Sequence, residues 1–186
     1  MNVPNIITLI RFLLIPVFAY SFFGGTQGRY IAGAIFVLAG ISDVLDGYIA
    51  RKYNLVSRVG EAIDPLADKL MQITVVLCLF IANVINIWLV IAVIIKEALM
   101  IIVGSIMMAK INRVIPSKWY GKAAAALFFI VLFISIIFIR QSNYYVDIMF
   151  IAALALSLFA FINYCWLYLK NDKLKKAAEE SNNKPI

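Results

Sequence analysis

The 186-residue chain contains no histidine. No imidazole is available as a general base or a metal ligand, so a base working near neutral pH must be a carboxylate or a lysine. Cysteine is almost as scarce. Cys78 and Cys165 sit in separate apolar runs, too few ligands for a structural zinc cluster, and they read as two small buried hydrophobes. Charge is thin as well, at 15% of residues, with ten acidic side chains against seventeen basic ones. What remains is 64% hydrophobic, more apolar surface than a soluble core of this length can hide. With no soluble domain to carry a groove-reading element, nucleic acid is excluded as a partner.

The chain therefore reads as an all-α integral membrane protein. A transmembrane helix needs roughly 20 mostly apolar residues, and six stretches qualify, at about 6–23, 30–50, 60–82, 86–108, 120–139 and 144–169. Short connections make them one antiparallel bundle. The first stretch lacks a preceding basic segment and a small-residue cleavage site, so it is expected to be a retained helix. Residues 1–170 form the transmembrane domain, and 171–186 a polar basic tail, expected to be a short helix fraying into disorder. Basic residues near the helix ends set orientation. Arg11, Arg51, Lys52, Arg58, Lys110, Arg113, Lys118, Lys122 and the tail lysines fall on one side, against Arg29 and Arg140 on the other. This bias predicts a cell-membrane protein with both termini in the cytoplasm.

Acidic residues are rare, yet five of the ten, four of them aspartates, fall within 26 positions. Asp43, Asp46, Gly47 and Ala50 follow helical spacing, and so do Gly60, Asp64 and Asp68, so each set forms one acidic, small-residue stripe. Four carboxylates on two neighbouring helices repel one another and need protons or strong positive partners. Hard divalent cations fit best, because an all-oxygen donor set suits Mg2+, Mn2+ or Ca2+ and four carboxylates can hold two of them. The interleaved Gly47, Ala50 and Gly60 leave room for a flat or bulky group such as a nucleotide diphosphate. A cation or proton transporter would instead place its acids near the midplane, within repeated halves, and neither feature is present.

The pattern Asp43-x-x-Asp46-Gly47-x-x-Ala50-Arg51, eight residues, Gly60-x-x-x-Asp64-x-x-x-Asp68 resembles the signature of the CDP-alcohol phosphatidyltransferase family at every fixed position. The N-terminal "PNIITLIR" is similar to the opening of the family's bacterial phosphatidylglycerophosphate synthases. The resemblance implies six transmembrane helices and phospholipid biosynthesis by a metal-dependent transferase, with a homodimer as the family's usual assembly. It implies that Asp43, Asp46, Asp64 and Asp68 line a site for two divalent cations, Mg2+ or Mn2+, with Asp68 as catalytic base. Gly47, Ala50, Arg51 and Gly60 are then the nucleotide-binding residues, and CDP-diacylglycerol is the lipid donor.

For that resemblance the acceptor is read from basic residues outside the signature. Glycerol 3-phosphate needs two or three cations, and Lys96, Arg113, Lys118 and Lys122 are the candidates. Lys96 stands out because a lysine inside an apolar helix needs a reason. "WYGKAA" at 119–124 is also similar to the CMP-forming cardiolipin synthases of the superfamily, whose acceptor is phosphatidylglycerol.

Overall fold

The computed structural model describes the backbone of residues 3–52, 58–110, 119–138 and 144–182, and the side chains of 10–42, 67–103, 119–138 and 144–166. These residues form six helices: α1 Val3–Phe22, α2 Gly25–Lys52, α3 Arg58–Ile81, α4 Ile87–Lys110, α5 Trp119–Ile137 and α6 Tyr144–Asn182. All six expected stretches are helical. The largest difference is α6, which runs without interruption into the tail. Its sequence there, rich in Lys, Leu, Ala and Glu with no Gly and no Pro before Pro185, carries nothing to stop a helix once it has nucleated.

Among the described residues, Trp119–Ile137 and Tyr144–Trp166 are long and apolar enough to cross a membrane, and Ile10–Phe22 is a shorter apolar segment. The bundle surface supports the same reading. Leu13, Val17, Leu38, Ile41, Ile94, Ile95, Ile102, Ile130, Ile151 and Phe159 all point outward, a surface suited to lipid rather than water. Exposed aromatics mark both ends of α5 and α6, with Trp119 and Trp166 at one end and Phe138, Tyr144 and Tyr145 at the other. Nineteen residues of α5 rise about 28 Å at 1.5 Å each, close to the hydrocarbon thickness of a bilayer, and aromatic rings favour its two interfaces.

Inside, Phe18 and Phe22 of α1, Phe36 of α2, Leu79 of α3, Val93 of α4, Phe128 and Leu132 of α5 and Phe150 of α6 belong to one apolar cluster. α1 packs against α2 and α3, α5 against α6 and α2, and α4 against α6 and α3, whereas α2 and α3 touch each other more lightly. Isolated polar side chains stay within their own helices: the hydroxyls of Ser42, Thr74, Ser135 and Ser157 each donate to the carbonyl one turn back. Such bonds remove the cost of carrying a hydroxyl into an apolar phase.

The turns at the end away from the aspartates are tightly closed. Asn83, with φ 55°, ends α3, and the amides of Val84 and Asn83 bond to the carbonyls of Leu79 and Phe80, satisfying orphan carbonyls in a Schellman arrangement. Asn86 opens α4 and donates to Asp147 in the first turn of α6 at 3.1 Å. Between α1 and α2 the reversal takes two residues, with Gly25 at φ 73°, and Gly28 lies so close to α1 that an added Cβ would come to 2.2 Å from the Ser21 carbonyl oxygen.

Two glycines of α2 give opposite expectations for alanine. A Cβ on Gly40 would meet the Phe129 ring at 2.7 Å, and that ring is stacked on Phe36 at 4.3 Å, so it cannot yield cheaply. A Cβ on Gly33 would press on the flexible end of Ile137 at 2.7 Å and make ordinary contact with the Phe133 ring at 3.5 Å. Gly28→Ala and Gly40→Ala are each expected to cost about 1–3 kcal/mol, visible as a lowered Tm in detergent, with Gly33→Ala near neutral. Equal Tm values for all three would contradict the packing described.

Candidate active site

The signature residues divide between the last turns of α2 and the first turns of α3. Asp43, Asp46, Gly47, Ala50 and Arg51 lie on α2, which ends at Lys52; Gly60, Asp64 and Asp68 lie on α3, which begins at Arg58. Two helices joined by so short a connection bring these ends together, so both acidic stripes occupy the same end of the bundle. The side chains of Asp43, Asp46, Gly47, Ala50, Arg51, Gly60 and Asp64 lie outside the described residues, as do Arg113 and Lys118 altogether.

Asp68 is described. It is partly buried and accepts a 2.9 Å hydrogen bond at Oδ2 from Gln72 Nε2, one turn further along α3. Gln72 was not evident from sequence, although its i+4 spacing from Asp68 was the available signal. Arg11 of α1 is only 1% exposed, so it lies inside the bundle rather than at its surface.

Lys96 is held inside the bundle. Its Nζ lies 2.6 Å from Glu97 Oε1, and Lys69 of α3 places its own Nζ 2.6 Å from Oε2 of the same carboxylate. Glu97 is 1% exposed. On its other side Lys96 sits over the Phe128 ring, 3.9 Å from the centroid, and Phe128 meets Phe150 edge-on at 6.3 Å. Two cations on one carboxylate leave a surplus positive charge, within electrostatic range of Asp68. Sequence reasoning singled out Lys96 but did not find Glu97 or Lys69 as its partners; a Lys-Glu pair in mid-helix was the only hint. Lys122, in the first turns of α5, is exposed, and its neighbour Gly121 allows the Tyr164 ring of α6 to lie against α5, where a Cβ would approach to 3.0 Å.

The donor set suits divalent cations: four carboxylates at one end of the bundle, and no nitrogen or sulfur side chain in the signature other than Arg51. The model of the family described as CDP-alcohol phosphatidyltransferase matches residues 1–161, most of the chain. The chain belongs to this family. CDP-alcohol phosphatidyltransferases are metal-dependent membrane enzymes that make phospholipids. A protein of Rickettsia felis named CDP-diacylglycerol–glycerol-3-phosphate 3-phosphatidyltransferase is 48% identical over 71 residues, 38% of this chain and 39% of its own. Proteins of the same name from Pseudomonas fluorescens and Haemophilus influenzae are 37% and 35% identical over 133 and 126 residues. These alignments cover 68% and 65% of this chain, and 68% of each relative. The chain thus spans about two fifths of the length of the Rickettsia relative and about two thirds of the other two.

The contact of Lys96 with Phe128 can be measured. A double-mutant cycle with Lys96→Met and Phe128→Leu is expected to give a coupling energy of about 0.5–2 kcal/mol in thermal or denaturant unfolding. Strict additivity would mean that the ring does not hold the ammonium.

Proposed function

We propose that this enzyme transfers the phosphatidyl group of CDP-diacylglycerol to glycerol 3-phosphate, releasing CMP and forming phosphatidylglycerophosphate at the cytoplasmic face of the cell membrane. The observation that carries the reading is the complete family signature on the facing ends of α2 and α3, together with relatives whose names state this donor and acceptor. The excess of Lys and Arg on the side of the termini supports the cytoplasmic orientation.

In this reading Asp43, Asp46 and Asp64 hold two divalent cations, Mg2+ or Mn2+, with Asp68 beside them. The cations supply charge neutralisation at the phosphoryl oxygens. Gly47, Ala50, Arg51 and Gly60 border the cytidine diphosphate, where missing side chains let it approach the helix backbones. Asp68 takes the proton from the acceptor hydroxyl, whose oxygen bonds to the β-phosphorus of the donor as the bond to the CMP oxygen breaks. Gln72 fixes the rotamer of Asp68 through a hydrogen bond to Oδ2. With no histidine in the chain, a carboxylate base is the chemistry available. Lys96, Arg113, Lys118 and Lys122 are the cations proposed for the acceptor phosphate, Lys96 from inside the bundle and Lys122 from the exposed start of α5.

Asp68→Asn is expected to abolish transfer while CDP-diacylglycerol and Mn2+ still bind, and excess chelator is expected to stop the wild-type reaction. Near-normal turnover in either case removes the assignment it tests.

The acceptor is tested separately. Glycerol 3-phosphate is doubly charged and has no acyl chains, so each charge-assisted contact is worth about 1.5–3 kcal/mol. Lys122→Ala should raise its KM by about ten- to a hundred-fold with little change in donor KM. Radiolabelled glycerol 3-phosphate and phosphatidylglycerol are supplied in parallel with CDP-diacylglycerol and metal. Product from phosphatidylglycerol alone would make the enzyme a cardiolipin synthase.

A further inference from the structure

Lys69 of α3 and Lys96 of α4 converge on one carboxylate, that of Glu97, each with its Nζ 2.6 Å from a different oxygen. The oxygens of a carboxylate are about 2 Å apart, so the two ammonium nitrogens are separated by no more than about 8 Å. Exposure divides the three groups. Glu97 is sealed at 1%, whereas the side chains of Lys69 and Lys96 keep 21% and 14% of their surface accessible. A ligand arriving from the open side meets the lysines, not the carboxylate. The charges do not balance either. Among the described residues the ion pairs of both lysines go to Glu97, which leaves one positive charge over in an apolar bundle, where an unmatched charge is costly. In the reading above, the four aspartates balance two divalent cations and leave this surplus in place. Each ammonium also has three donors, more than one carboxylate oxygen can occupy, and the Phe128 ring at 3.9 Å limits where those of Lys96 point.

We propose that Lys69 and Lys96, pinned by Glu97, form a binding site for a phosphate group. A second anion on the open side completes an alternation of charge, and one phosphate can bridge the two nitrogens with charge-assisted hydrogen bonds of about 2.8 Å. Glu97 then does what an apolar tie between α3 and α4 would not: it orders two flexible side chains beforehand, so less entropy is lost when the ligand binds. The proposal rests on the reading under Proposed function, from which it takes Lys96, and adds Lys69 and Glu97 to it. The phosphate belongs to a free phosphomonoester acceptor or to a lipid headgroup, and the chemistry that recognises it is the same.

The test is inhibition of transfer by inorganic phosphate, with the full-length enzyme in detergent, CDP-diacylglycerol and Mg2+, and with Tm recorded in parallel. Phosphate is expected to inhibit the wild type, and Lys69→Met to raise its Ki about ten-fold or more. Competition with glycerol 3-phosphate, and a raised KM for it alone, assigns the site to the acceptor. Competition with CDP-diacylglycerol, and a raised donor KM, assigns it to a lipid headgroup. Both results uphold the site. A wild type that phosphate does not inhibit overturns the proposal, and so does an unchanged Ki in Lys69→Met, which with a lowered Tm makes the three residues a simple tie between α3 and α4. An enzyme that uses phosphatidylglycerol and ignores glycerol 3-phosphate overturns the acceptor reading instead, and the same comparison of Ki with phosphatidylglycerol as acceptor still decides the site. Should Lys69→Met fail to fold, Lys69→Met combined with Glu97→Gln, which removes one charge of each sign, takes its place with the same expectation.

Discussion

A buried carboxylate that holds two partly buried ammonium groups is the constraint on which the packing of α3 against α4 depends. Charges are costly to bury, and removing one member of a buried pair commonly costs about 3–5 kcal/mol. The helices that carry Lys69, Lys96 and Glu97 are therefore restricted in rotation and in sliding. The Phe128 ring passes the constraint from α4 to α5, and its edge contact with Phe150 passes it to α6. Four helices are thus brought into one arrangement around the Lys69–Glu97–Lys96 cluster.

The two ends of the bundle are built by different rules. Away from the aspartates, closure is achieved with backbone: the two-residue reversal at Gly25, the αL residue Asn83, and the link from Asn86 to Asp147. Such turns satisfy their own polar groups. At the aspartate end the sequence interleaves the small residues Gly47, Ala50 and Gly60 with the acids.

Much of this was legible along the chain. The apolar stretches, the helical spacing of Asp43 and Asp46 and of Gly60, Asp64 and Asp68, and the missing histidines are local properties; the apolar stretches by themselves determine an all-α membrane protein, and the spacing with the missing histidines leads to the proposal of a carboxylate-based chemistry. Periodicity reports which residues share a face of one helix. It does not report what that face meets. That Glu97 takes both lysines, that Arg11 is buried, that Gly40 admits the Phe129 ring and that Gln72 braces Asp68 follow from the rotation and crossing of neighbouring helices. Those are set by the summed packing of side chains far apart in sequence, so only the tertiary structure decided them.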